Sequence, residues 1–310
     1  MSYAVGISSH SASAPSAYLL SVLQSVAQWA IILRLDFNSC SIWGDDLSTL
    51  DPQEIVRLSD ELYAALRTRK AVVPLTTRYP ALDIDDAYGI SLGLLERRLH
   101  DGEHVIGKKI GVTSKVVQDM LDVREPDFGF LTDAMAVASG AEYRIDGNMI
   151  QPRAEAEIAF IMKDEIRGPG LDHNDVLAAT AYVAPCFEIV DSRIADWRIR
   201  IQDTVADNAS CGIFVLGADR VDPRTLDLSA IKVRVKKNGR DLSQGSGAAV
   251  QGSPLNAVAW LANTLGRYGM SLSPGDVILS GSLVPLEPAR PGDEFSMELD
   301  GVGGASVKFV

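Results

Sequence analysis

A single glutamate, Glu188, interrupts the apolar run Ala181-Tyr-Val-Ala-Pro-Cys-Phe-Glu-Ile-Val190. Such a run reads as a strand buried on both faces. A carboxylate inside it is costly unless it is paired or bound to a cation, so the fold has to bring it a partner. The stretch Arg153-Ala-Glu-Ala-Glu-Ile-Ala-Phe160 carries two further carboxylates, Glu155 and Glu157. Strand residues two apart point to the same face. If all three glutamates converge, they make an all-oxygen site for a hard divalent metal. The plain alternative for Glu155 and Glu157 is the wet face of a half-exposed strand; their alternation with Ala154, Ala156, Ile158 and Phe160 suits both.

Composition narrows the function classes. The 310 residues carry a net charge of -12, with 46% hydrophobic and 23% charged residues, ordinary for a soluble globular chain. That acidity leaves no basic stripe to neutralise phosphates, which argues against nucleic acid as a partner. The cysteines Cys40, Cys186 and Cys211 show no C-x-x-C spacing and read as reduced thiols of a cytoplasmic protein. The histidines His10, His100, His104 and His173 form no zinc-type pair.

Residues 1–48 differ from the rest. Ser and Ala dominate the first sixteen, and Ala17 to Leu33 runs without a charge. That run is at the short limit of a membrane span, contains Ser21, Gln24, Ser25 and Gln28, and has no basic residue before Arg34, so neither a span nor a secretory signal is expected. The segment reads as an atypical, poorly ordered extension. A helix is expected from Asp51-Pro52, an N-cap and proline at the first helical position, and another from Asp83 to about Gly102. Residues 49–103 therefore read as a helical lobe.

From 104 to 310 the pattern changes. Strands are expected at 105–112 and near 149–163, 182–190, 212–217, 231–237, 276–280 and 305–310. Helices are expected at 114–121, 173–181 and 253–268. The strands do not alternate regularly with helices, so a doubly wound parallel sheet is disfavoured. The expected class is α+β, with a mixed, strongly curved sheet rolled into a barrel-like core.

Other segments carry candidate chemistry. Lys108 and Lys109 lie in a glycine-flanked strand and must face opposite sides. One of them is a candidate acid or base near a metal-bound anion; two lysines on an edge strand are the bland alternative. Asp127, in Glu125-Pro-Asp-Phe-Gly129, reads either as a turn acid or as a proton-handling group. Asp203-Thr-Val-Ala-Asp-Asn-Ala-Ser-Cys-Gly212 reads either as a segment that turns donors, Asn208 and Ser210, to a ligand or as a capped loop between strands. Leu279-Ser-Gly-Ser-Leu283 offers the Ser282 hydroxyl, or is a tight turn.

In order along the chain, Gly107-Lys-Lys-Ile-Gly-Val-Thr-Ser114, Pro126-Asp-Phe-Gly129, Gln151-Pro-Arg-Ala-Glu-Ala-Glu157 and Asp207-Asn-Ala-Ser-Cys-Gly212 resemble the 2-keto-4-pentenoate hydratases of the fumarylacetoacetate hydrolase superfamily. The resemblance spans about residues 50 to 310. It implies metal ligands Glu155, Glu157 and Glu188, an active-site lysine at Lys109, an acid at Asp127 and a substrate-side serine at Ser210. It further implies Mg2+ or Mn2+, a small 2-hydroxydienoate substrate and a large homo-oligomer. The implied reaction adds water to 2-hydroxypenta-2,4-dienoate in the meta-cleavage degradation of aromatic compounds. A 2-oxo-3-hexenedioate decarboxylase is the near rival. The carbon–carbon hydrolases of the superfamily commonly use a His–acid pair, and no histidine here lies between His104 and His173 or beyond. A silent metal-binding scaffold is the rival from another class.

Overall fold

The computed structural model describes residues 49–310; the expected N-terminal extension, 1–48, lies outside the described residues. Helix α1 (Pro52–Thr68) starts where the Asp51 carboxylate accepts from Gln53 N at 2.8 Å. It buries Leu58, Leu62, Ala65 and Leu66 along one stripe. A short helix α2 (Leu75–Arg78) follows, then α3 (Ile84–His100), opened by a reciprocal Asp83–Asp86 capping box. Helices α1 and α3 pack on each other.

The main sheet has the order β2-β1-β10-β5-β6-β7-β3, with β11 added beside β5. Its strands are β1 (Val105–Gly111), β2 (Asp127–Thr132), β3 (Ala136–Ala138), β5 (Arg153–Met162), β6 (Thr180–Val190), β7 (Cys211–Leu216), β10 (Val277–Leu279) and β11 (Glu287–Pro288). It is mixed: β1 pairs with β10 and β3 with β7 in parallel, and the other ladders are antiparallel. A second sheet has the order β4-β13-β12-β8-β9, from β4 (Glu142–Tyr143), β8 (Lys232–Lys237), β9 (Arg240–Ser246), β12 (Glu294–Leu299) and β13 (Gly303–Phe309). It packs on the outer face of β6 through Phe187, Phe295 and Phe309, edge to face at 6.3 and 6.0 Å. The main sheet is rolled about its inner face. Leu131 on β2 and Phe214 on β7, far apart in the strand order, meet in one buried cluster with Ala159, Ala184 and Leu279.

Helices α4 (Lys115–Leu121), α5 (His173–Ala179), α6 (Ile201–Ala206) and α7 (Pro254–Arg267) complete the described elements of more than one short turn. Two expectations need correction. The stretch at Asp127 is not a turn but the first residue of β2, all six of whose residues are buried. Pro126 and Gly129 suggested a turn, yet pairing with β1 on one side outweighs that local preference. The 203–206 part of the expected loop is the helix α6, held because the Asp203 carboxylate accepts from Thr76 N and Thr76 Oγ1 at 3.1 and 2.7 Å. None of the helices among the described residues is long and apolar enough to cross a membrane.

Candidate active site

The ladder between β5 and β6 sets the centre of the site. Glu155 stands directly opposite Glu188, and Glu157 is two residues further along the same face. One carboxylate oxygen from each lies within 4.8 Å of the others. Glu157 and Glu188 are fully buried, while Glu155 is partly exposed and marks the open side. The register thus brings together the three glutamates singled out in the sequence.

The carboxylates are left short of partners. Glu157 Oε2 accepts from Gly281 N at 2.8 Å, where Gly281 has φ +107°, a conformation that favours glycine. Among the described residues seven buried side-chain polar atoms lack an aligned hydrogen bond. Four of them are Asp127 Oδ1, Glu157 Oε1 and both oxygens of Glu188. Buried polar atoms are otherwise almost always satisfied, so this concentration points to a ligand. Burial, with Glu188 close by, pushes Glu155 up to about 7. Burial and the other two carboxylates raise Glu157 well above the ordinary range. Burial raises Glu188 too, against the pull of the Lys109 ammonium and the Cys211 thiol. Three oxygen donors that resist ionising together fit a divalent cation, which offsets their repulsion.

Strands β1 and β2 supply the remaining groups. Lys109 and Asp127 lie over Gly111: a Cβ built there would sit 2.3 Å from Asp127 Oδ1 and 3.1 Å from Lys109 Nζ. Only glycine leaves that space. Lys109 Nζ is 3.3 Å from Glu188 Oε1 and donates to Ala209 O at 2.9 Å. Burial alone would lower its pKa, but Glu188, Asp127 and Glu155 outweigh burial, and the ammonium stays charged. Asp127 Oδ2 accepts from Thr204 Oγ1 on α6 at 2.7 Å, leaving Oδ1 free. Tyr88 on α3 stacks on Phe128 at 4.5 Å and so ties the lobe to the strand that carries Asp127.

Lys108 takes the opposite face, as alternation requires, and pairs with Asp276 at 2.6 Å. Ser282 Oγ donates to Val284 O at 2.6 Å and lies beside the Glu155 carboxylate, so it borders the site. Asn208 and Ser210, the other expected donors, have hydrogen-bond partners within the protein. The Asn208 amide brackets the main chain of Phe130, accepting from its N at 2.7 Å and donating to its O at 3.0 Å; Ser210 Oγ bonds Asp207 Oδ2 at 3.2 Å. Both side chains hold the segment in shape. Thr204, Gly281 N and Ala209 O were not singled out in the sequence. The S-G-S and D-N-A-S-C-G stretches marked their neighbourhood, but side-chain chemistry cannot show that a main-chain group is the one in use.

Residues 103–310 match the family model of the fumarylacetoacetate (FAA) hydrolase C-terminal domain. Over 260 residues the chain is 56% identical to a 2-hydroxyhexa-2,4-dienoate hydratase of Comamonas testosteroni, covering 84% of this chain and 98% of the relative. Over 222 residues it is 60% identical to a 2-hydroxypent-2,4-dienoate hydratase of Pseudomonas putida, covering 72% and 100%. Among solved structures, the 4-oxalocrotonate decarboxylase of Pseudomonas putida G7, complexed with magnesium and adipate, superposes with a TM-score of 0.82 at 32% identity, covering 84% of this chain and 99% of that one. The chain belongs to the fumarylacetoacetate hydrolase superfamily and, within it, to the 2-keto-4-pentenoate (2-hydroxypenta-2,4-dienoate) hydratases.

Proposed function

We propose that the chain is a hydro-lyase that adds water to 2-hydroxypenta-2,4-dienoate and releases 4-hydroxy-2-oxopentanoate, as a step in the breakdown of aromatic compounds. The observation that carries this reading is the meeting of Glu155, Glu157 and Glu188 on one inner face beside Lys109 and Asp127. Glu155, Glu157 and Glu188 would hold Mg2+ or Mn2+, which would supply Lewis-acid charge to a bound 2-oxo acid.

The chain's own groups handle the protons. Lys109, whose Nζ donates to Ala209 O at 2.9 Å and lies 3.3 Å from Glu188 Oε1, serves as proton donor. Asp127, anchored through Oδ2 by Thr204, offers Oδ1 as acceptor. Together they move the enol proton of the dienol to C5, giving a conjugated ketone, and water then adds at C4 with its proton going to C3. Proton transfers of this kind contribute about 10²–10⁴-fold each. Phe214, Leu131 and Leu279 belong to the buried apolar cluster on the inner side of the sheet. The reduced thiols of Cys186 and Cys211 suit a cytoplasmic enzyme, and we expect a homo-oligomer.

Turnover of a panel of 2-hydroxydienoates, with and without chelator, tests the reading. Water addition to the C5 dienoate, abolished by chelator and restored by Mg2+, supports it; no turnover of any dienoate contradicts it. The decarboxylase reading is favoured by one observation, the superposition on the 4-oxalocrotonate enzyme. Release of carbon dioxide from 2-oxo-3-hexenedioate would select it. Full turnover by both Lys109→Ala and Asp127→Asn would select the scaffold.

A further inference from the structure

The segment Asp207–Ser210 is held more firmly than a connection needs, and what it turns toward the site is a main-chain carbonyl. Asn208, Ala209 and Ser210 have φ of 53°, 49° and 53° in succession. Non-glycine residues rarely adopt this region and persist there only where their surroundings over-determine them. Two clamps do so. On one side the Asn208 amide brackets the main chain of Phe130 on β2. On the other, the Asp207 carboxylate accepts from Arg193 N at 2.9 Å, from Arg193 Nε, and from the hydroxyls of Ser192 and Ser210 at 3.2 Å each.

The Arg193 guanidinium also donates to the carbonyls of Asp191, Cys211 and Asp207. Arg193 is 1% exposed and Asp207 0%. Among the described residues no hydrogen bond or ion pair joins either of them to Glu155, Glu157 or Glu188. A buried ion pair is a weak source of stability compared with apolar packing, so this pair calls for another use. Between the two clamps lies Ala209, whose carbonyl receives Lys109 Nζ at 2.9 Å.

We propose that Arg193 and Asp207 form a positioning pair for Lys109. By locking the left-handed turn they place the Ala209 carbonyl so that it accepts one hydrogen bond from the ammonium and holds Nζ at 3.3 Å from Glu188 Oε1. The neutral carbonyl keeps the ammonium from closing onto Glu188 and leaves its remaining protons for the substrate side. The pair acts through Lys109 and touches no reacting atom.

The inference rests on the role given to Lys109 under Proposed function, and a double-mutant cycle separates the two. Asp207→Asn keeps the shape and removes the charge; Asn208→Ala opens the opposite clamp. Each is made in the wild-type and the Lys109→Ala backgrounds, with folding checked by circular dichroism. The kcat and KM for 2-hydroxypenta-2,4-dienoate are then measured, and Mg2+ affinity by calorimetry. The expected result is a kcat lower by about 10–100-fold in the wild-type background, KM and Mg2+ affinity changed by less than about threefold, and an effect of under about twofold once Lys109 is absent. If Asp207→Asn does not fold, Arg193→Lys, which keeps the charge and loses the fork of donors onto Asp207, takes its place. An unchanged kcat, an equal loss in both backgrounds, or a loss of Mg2+ in step with kcat overturns the proposal. Undiminished kcat in Lys109→Ala itself removes the reading on which the proposal stands.

Discussion

Lys108 and Lys109 are neighbours on β1, both buried, both beside an acid, and they end in opposite kinds of environment. On the outer face Lys108 Nζ meets Asp276 Oδ2 at 2.6 Å and Ser271 O at 3.3 Å, and Asp276 Oδ2 also accepts from Ser273 N at 2.8 Å. Donors and acceptors there match. On the inner face Lys109 meets more carboxylate than it can neutralise, and Asp127, Glu157 and Glu188 keep oxygens without aligned partners. A structural ion pair closes its own accounts, whereas a site built for a ligand leaves groups open until that ligand arrives.

The largest effect that sharpens this contrast comes from the open set. Glu157→Gln or Glu188→Gln should lower kcat/KM on the order of 10³-fold or more, with Mg2+ affinity falling in calorimetry, because each removes a charged ligand from a buried site. Lys109→Ala should cost about 10²–10⁴-fold in kcat with little change in Mg2+ affinity. Lys108→Met should do the reverse: kcat per folded molecule is retained, while unfolding in urea shows a loss of about 3 kcal/mol from stranding Asp276. Loss of turnover in Lys108→Met would break the comparison.

A third contrast is in pH. In the metal-free chain Glu155 is raised from its ordinary 4.5 to about 7. Between those values the folded chain holds a proton that the unfolded chain has released, so stability falls as pH rises. The contribution is complete below about pH 4.5 and lost as pH passes 7, up to about 3 kcal/mol in all. The melting temperature in chelator should therefore fall across that window, and saturating Mg2+ should flatten the slope. The pair at Lys108 predicts no such metal dependence. The smallest effect is at Thr204→Val, which frees Asp127 Oδ2: kcat should fall about 10-fold with KM retained.

What could be read from the sequence followed what side chains must do locally. Asp51 and Asp83 begin helices because their carboxylates cap them, and β5 and β6 were visible because Ala, Ile and Phe alternate around, or run through, their glutamates. Convergence of Glu155, Glu157 and Glu188 was arguable because a buried carboxylate has to find company. Alternation separated Lys108 from Lys109 but could not say which faced inward, since that depends on the order of strands and not on β1. Strand β2 was hidden because Pro126 and Gly129 mimic a turn while its partner β1 lies elsewhere in the chain. The polarity of Asn208 and Ser210 signalled hydrogen bonds without saying to whom; Phe130 and Asp207 take them. Gly281 N and Ala209 O left no side-chain trace at all.

The proposed centre is one divalent ion gripped by three glutamates from β5 and β6. A crystal soaked with Mn2+ and oxalate, measured at the manganese absorption edge, tests it most directly. One anomalous peak is expected within bonding distance of Glu155, Glu157 and Glu188, with oxalate completing the coordination and Lys109 still on Ala209 O. A peak elsewhere, or Glu188 turned away from the ion, would contradict it.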